Sequence, residues 1–396
     1  MNTLNILGRS SSLFAYDLAR YSDHLSDTLE NKRIMVVGGA GSIGSAFVKR
    51  VCGFRPASIT AIDIDENGLV ELARDLRSEG LEKKTKFSFF AIDSGSDEFL
   101  KLCTRHRGSY DYILNFSALK HVRSERDPYT LSRMVTVNIE NALNLRRLSY
   151  DLGAKKYFCV STDKAFQPVN MMGASKRLME MFVLGLDLSV PASTARFANV
   201  AFSNGSLLYG LSNRISKRQP IAVPGDIERY FISSEEAAEL CLFSLVFGAN
   251  QEIFVPKESS HFKLDSLVSI VKKVLEGRGL IAVETETEEE ARRAIRKLDS
   301  EKYWPILLTE SDTTGEKGFE RFFNGDEIMD QNSFSSIIKI RDVVRVSTDT
   351  YQSFLDEVNK WRTERIESKL ILVNLFKKYI PEFEHNELGK NLYDKM

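Results

Sequence analysis

Residues 33–44 read Arg33-Ile34-Met35-Val36-Val37-Gly38-Gly39-Ala40-Gly41-Ser42-Ile43-Gly44. An apolar run this short, closed by glycines, predicts a buried strand, and an apolar-periodic helix follows through Val51. Gly38, Gly41 and Gly44 permit a tight turn, close backbone approach to a pyrophosphate and helix–strand packing, so Ser42 and Ile43 open a helix whose N-terminus faces phosphates. A second strand over 59–63 ends in Asp63, about twenty residues on, where a carboxylate holds ribose hydroxyls. Ile64, Asp65 and Glu66 follow instead of an arginine, which favours NAD over NADP. The competing use of Asp63 is to cap the helix that begins near Glu66.

The alternation continues outward from this unit. Strands are predicted over 86–92, 110–115 and 156–160, with helices over 97–106 and up to about Tyr150. Strands separated by helices with short connections imply an α/β fold, a Rossmann-type doubly wound parallel sheet. Asp93 closes the third strand and is placed to meet the adenine amino group. The segment 116–122 carries Ala118, Lys120 and His121 along the pyrophosphate and nicotinamide ribose, and Asn138 lies in the next helix. Runs 131–148 and 179–188 are apolar helices, as expected where helix pairs of two subunits form a bundle in a homodimer or higher homo-oligomer.

Residues 158–177 bring the chemistry. Phe158-Cys159-Val160 ends a strand, Gln167-Pro168 breaks the periodicity, and Gly173 begins a helix. Thr162, Asp163 and Lys164 therefore stand at the carboxyl end of a strand, where open α/β sheets hold ligands. Beyond Val190 the alternation weakens. Arg196, Asn199, Asn204, Ser206 and Arg229 offer two guanidinium groups, two amides and a hydroxyl suited to sugar and diphosphate. The chain divides into a helical extension (1–32), a NAD-binding Rossmann domain (33–195), a smaller, mixed substrate-binding region (196–340) and a C-terminal helical segment (341–396). The charged run 284–301 reads as a solvated helix face.

Composition narrows the classes. With 396 residues, 43% hydrophobic, the chain can bury a large core, and a net charge of −1 leaves no broad basic field for nucleic acid or acidic membranes. Cys52, Cys103, Cys159 and Cys241 form no CxxC and read as buried free thiols of a reducing compartment. No run approaches the roughly 20 apolar residues of a membrane span, and no metal-ligand cluster is apparent. A cytoplasmic protein without a metal is expected.

The segments 38–44, Ala118-Leu119-Lys120-His121-Val122, Ser161-Thr162-Asp163-Lys164-Ala165 and Met172-Gly173-Ala174-Ser175-Lys176 occur in this order. With Arg196-Phe197-Ala198-Asn199-Val200, Arg229-Tyr230-Phe231 and Gly315-Glu316-Lys317, the chain resembles the extended short-chain dehydrogenases. More narrowly, it resembles the nucleotide-sugar dehydratases of polysaccharide biosynthesis, the UDP-N-acetylglucosamine 4,6-dehydratase group. A short-chain dehydrogenase has a tyrosine four residues before its lysine; Met172 stands there, as in some members of this group. Thr313-Thr314 replaces the Arg-Pro that often precedes Gly-Glu-Lys.

The resemblance implies a UDP- or GDP-linked N-acetylhexosamine substrate. NAD takes a hydride from sugar C4, water is lost across C5 and C6, and the hydride returns to C6. Lys164, as a free amine, is expected to take the C5 proton, and Asp163, as a free acid, to serve the leaving hydroxyl. Thr162 positions and relays, Lys176 binds the nicotinamide ribose, and Glu316 joins the substrate contacts. A sugar-nucleotide epimerase and a non-catalytic NAD-binding protein are the alternatives.

Overall fold

The computed structural model describes residues 3–385 and 387, except 298, 300–301, 312–314, 316, 325–326 and 342–343. The glycine-flanked strand is β1 (Arg33–Val37), followed by β2 (Ser58–Asp63), β3 (Lys86–Ala91), β4 (Tyr112–Asn115), β5 (Lys156–Val160) and β6 (Ala192–Ala195). They lie in the order β3-β2-β1-β4-β5-β6, all parallel. Every residue of β4, β5 and β6 is buried, as in a sheet covered by helices on both faces. Chain order reverses at β1, between β2 and β4, and such a reversal opens a crevice at the strands' carboxyl ends. Register pairs Val37 with Asn115, Asn115 with Cys159, and Val160 with Ala195. The segments after β1, β4, β5 and β6 therefore leave the sheet along one edge.

The helices begin where polar caps stand. Asp65 accepts from Gly68 N–H and Ser96 from Phe99 N–H, starting Glu66–Ser78 and Asp97–Arg105. The long helix expected to end near Tyr150 is instead Pro128–Val135, a π-helical turn Thr136–Glu140, and Asn141–Asp151. Such turns widen a helix locally and re-aim its side chains. Asn138 lies at the middle of this turn.

Residues 196–340 do not form a lobe apart from the sheet. Glu252–Pro256 runs parallel beside β6, Ile337–Ile340 antiparallel beside that, and Met329–Asp330 closes the edge. The remainder builds a second core, including Leu208, Leu211, Val223, Ile270, Val274, Trp304 and Ile306. Over it lies a parallel three-stranded sheet, Ile281–Thr285, Tyr303–Thr309 and Ile221–Pro224. The charged run yields the solvated helix Glu288–Lys297, with Ala291 its buried residue. The N-terminal extension serves both cores: Ile6 and Leu7 join the second, while Phe14, Leu25 and Leu29 are fully buried in the first.

The helices expected to meet another subunit also make contacts within the chain. Tyr351 and Phe354, on the helix Thr348–Glu364, pack 5.0 and 5.2 Å from Phe182. Arg362 pairs with Glu140 at 2.8 Å.

Candidate active site

At the end of β1, Gly38 adopts φ +79°, and a Cβ there would lie 2.5 Å from Ser117 N. A Cβ on Gly44 would fall 2.1 Å from the Gly38 carbonyl. Only glycine fits at either position, so the backbone wraps closely around the start of the helix Ser42–Cys52. Its cap, Gly41, makes no side-chain hydrogen bond, which leaves the first N–H groups for an anion. Asp63 does not cap the following helix; Asp65 does. Asp63 instead accepts from Ala40 N–H (2.9 Å) and Asp65 N–H (3.1 Å), one bond to each carboxylate oxygen, and each oxygen retains a lone pair for a ribose hydroxyl.

Asp93 is differently engaged. It accepts from Gly95 N–H (2.8 Å) and pairs with Arg133 at 2.5 Å. Burial alone would raise its pKa, but these two partners hold the carboxyl below its ordinary value. The adenine role expected for Asp93 therefore competes with an ion pair.

The loop after β4 is fixed by Asn138, which lies in the π-helical turn. Its Oδ1 accepts from Leu119 N–H (2.8 Å), and its Nδ2 donates to Leu119 O and Ser175 Oγ (2.9 Å each). One buried amide thus ties the backbone beside Ala118 to the helix Met171–Gly185. That helix is capped by Asn170 Oδ1, which accepts from Gly173 N–H at 2.7 Å. Met172 lies buried in its first turn, and Lys176, one turn on, donates to Val160 O at 3.0 Å. Burial, above all, lowers the pKa of Lys176.

Thr162, Asp163 and Lys164 converge as their position predicts. Thr162 Oγ1 donates to Asp163 Oδ1 at 2.8 Å, and Lys164 Nζ lies 3.1 Å from the same oxygen. Asp163 is 1% exposed, and its Oδ2 is buried without a hydrogen-bond partner among the described residues. Lys164 also reaches Asn199 Oδ1 (3.4 Å) and Glu320 (4.0 Å), and Lys317 approaches Glu320 at 3.4 Å. The strand end thus gathers two carboxyl groups and two amines around one buried aspartate.

The remaining substrate residues divide. Asn199 joins the cluster. Lys120 donates to Ser203 Oγ (3.3 Å), and Asn204 N–H donates to Ser42 Oγ (3.0 Å), so the 203–204 turn crosses the glycine loop. The His121 ring abuts Gly205 in the same turn. The other three have partners within the chain. Arg196 is 0% exposed, and its fork is taken by Glu180 at 2.8 and 2.7 Å and by Phe322 O at 2.7 Å, so it holds the core and not a diphosphate. Ser206 caps the helix Leu207–Ser216 by accepting from Tyr209 N–H. Arg229 donates to Lys317 O and Gly318 O (2.8 Å each), positioning that loop through its backbone. Glu316 lies outside the described residues.

Sequence reasoning missed Glu125, Asn170, Glu180 and Glu320. Glu125 accepts from Met171 N–H at 2.7 Å, and its Oε2 lies 3.6 Å from His385 Nε2. A buried glutamate on a single short 3₁₀ turn carries no periodic signal. Asn170, standing three residues before Gly173, had a readable one as a cap.

The four cysteines are buried and unpaired, with the Cys52 thiol pushed up to about 12 by burial. Among the described residues no group of side chains is arranged to hold a metal, and no helix is long and apolar enough to cross a membrane.

A family profile described as "Polysaccharide biosynthesis protein" matches residues 34–342. The chain is 34% identical over 254 residues to a Methanocaldococcus jannaschii protein called "Uncharacterized membrane protein MJ1061", covering 62% of this chain and 72% of that one. It is 25% identical to a Campylobacter jejuni protein named "UDP-N-acetylglucosamine 4,6-dehydratase (inverting)", covering 84% and 95%. Two further curated relatives are matched over about half of their own length. Among solved structures, Pen from Bacillus thuringiensis aligns with a TM-score of 0.62 at 20% identity, covering 79% of this chain and 88% of that one. That likeness concerns the fold.

Proposed function

This chain belongs to the polysaccharide biosynthesis protein family, and on that premise we propose that it is a nucleotide-sugar 4,6-dehydratase. It converts UDP- or GDP-linked N-acetylglucosamine to the 4-keto-6-deoxy sugar nucleotide in the cytoplasm, for a surface polysaccharide or glycan. The observation that carries this is the contact of Asp163 and Lys164 at 3.1 Å on the carboxyl end of β5. An acid and an amine side by side suit a water elimination; an epimerase needs no acid at C6.

The glycine cradle, the uncapped helix start and Asp63 fit the diphosphate and ribose of NAD. When bound, NAD supplies a hydride acceptor at C4 that is restored at C6. The residues supply proton transfers that balance. Thr162 already donates to Asp163 at 2.8 Å, so the C4 hydroxyl proton passes through Thr162 to Asp163. This route serves in place of a tyrosine at Met172, whose thioether carries no proton. The C4 ketone acidifies C5–H, and Lys164, as a free amine, takes that proton. Asp163 delivers its own to the departing C6 hydroxyl, releasing water. Lys164, whose N–H protons exchange with solvent, then protonates C5, and both groups end as they began. Lys176 holds the nicotinamide ribose.

Incubation with UDP- and GDP-N-acetylglucosamine in heavy water, followed by mass spectrometry and proton NMR, tests this reading. The expected product has lost one water and carries deuterium at C5. A product of unchanged mass with inverted C4 would assign an epimerase, and bound NAD without turnover a non-catalytic protein. The cradle is tested separately: Gly44→Ala, whose Cβ meets the Gly38 carbonyl, should yield a folded chain by circular dichroism that no longer copurifies with NAD.

A further inference from the structure

Beyond the helix Lys369–Tyr379 the chain runs back across the segment that opens the helix Met171–Gly185. Ile380 and Phe383 are buried in the main core and anchor this strap. Glu382 pairs with Arg177 at 3.1 Å, and Glu384 N–H donates to Pro168 O at 3.2 Å. The strap so fastened lays the His385 ring against Glu125. Nε2 of His385 stands 3.6 Å from Glu125 Oε2, and the two side chains are 4% and 2% exposed.

Glu125 stands where three segments meet. Its Oε2 accepts from Met171 N–H at 2.7 Å, and a Cβ on Gly315 would lie 3.2 Å from its Oε1. Met171 is the first residue of its helix, and the opening N–H groups of a helix have no partner inside it. Asn170 Oδ1 serves Gly173 N–H, and Glu125 serves Met171 N–H. A carboxylate suits a helix N-terminus, but one so buried also needs a polar or cationic neighbour to hold it in place. The His385 imidazole stands within ion-pair reach. Lys176 follows Met171 by about 7.5 Å along the axis, at 1.5 Å per residue. A helix held at its start fixes the height and rotation at which Lys176 leaves it toward Val160 O, 3.0 Å away.

We propose that His385 is a positioning residue of the cofactor site. It braces Glu125, Glu125 holds Met171 N–H, and the helix so fixed presents Lys176 to the nicotinamide ribose. The proposal rests on the assignment of Lys176 to that ribose and is independent of the sugar chemistry.

ADP separates positioning from general damage, because it carries the part of the cofactor that fits the glycine cradle and has no nicotinamide ribose. In equilibrium dialysis of the full chain against labelled NADH or labelled ADP, without sugar, His385→Ala should weaken NADH about three- to tenfold, the worth of one polar contact to a charged group. ADP should stay within about twofold of the parent, since its contacts lie elsewhere. His385→Gln, which keeps a side-chain donor, should regain most of the NADH affinity. In a Glu125→Gln background His385→Ala should cost nothing further, because two residues that act in series do not add. Hydrogen exchange read by mass spectrometry should be faster over 168–174 in His385→Ala than in the parent. Lys176→Ala should reproduce the loss of NADH without loss of ADP. If Lys176→Ala spares NADH, or the parent binds none, the ribose assignment fails, and exchange over 168–174 alone decides for or against the brace. Equal losses of NADH and ADP, a full further loss in the Glu125→Gln background, or exchange over 168–174 unchanged by His385→Ala would overturn the proposal.

Discussion

Lys164→Ala is expected to copurify with NAD as the parent does, yet to lose about 10²- to 10⁴-fold in kcat for the sugar nucleotide, the usual worth of a positioned proton-transfer group. Lys164 stands at the end of β5, in contact with Asp163, Asn199 and Glu320, and takes no part in the glycine cradle around Gly38 and Gly44. Cofactor retention and turnover should therefore separate. Deuterium exchange at C5 sharpens the test, since the variant should stop washing solvent hydrogen into that position. Turnover near the parent's rate would remove Lys164 from the chemistry and leave the fold untouched.

The second large effect is on stability. Arg196 and Glu180 form a bidentate pair with both side chains inaccessible to solvent. Arg196→Met strands the carboxylate in the core, and breaking a buried pair from one side costs about 3–5 kcal/mol. Urea unfolding at neutral pH should show a fall of that size, softened by Arg177 at 3.6 Å and by Ser161 Oγ at 2.6 Å. Adding Glu180→Leu should recover part of it, because the stranded charge then disappears.

The pH dependence should change sign with the same substitution. In the parent, burial alone would raise the Glu180 pKa, but Arg196 overrides it and holds the carboxyl below its ordinary 4.5. A depressed folded-state value contributes stability that is present above 4.5 and lost as pH falls through that lower value. Without Arg196, burial dominates and the folded-state value rises. The variant's deficit then grows as pH climbs above 4.5 and shrinks on acidification. A deficit that is flat across this window would show that Glu180 does not carry the loss.

Much of the architecture was legible because it rests on local signals. Gly38 and Gly44 behind β1 encode a close backbone approach that only glycine permits, and the apolar runs of β4 and β5 encode strands buried on both faces. Thr162, Asp163 and Lys164 were readable because a strand end fixes their position. The arginines were not. Arg196 and Arg229 looked like phosphate ligands by residue type, but one lies against Glu180, sixteen positions earlier, and the other against backbone eighty-eight and eighty-nine positions later. Nor does any apolar stripe reveal what covers it: Phe182 meets Tyr351 and Phe354 of its own chain.

The sequence by itself determined the order of strands and helices, the glycine cradle and the neighbouring acid and amine, because each depends on residues close together in the chain. Tertiary structure alone decided which carboxylate faces which cation, and that Glu125 holds the start of the Met172 helix. Side-chain partnership is set by long-range packing. A residue's type states what it can bind; only its surroundings decide whether that capacity is already used.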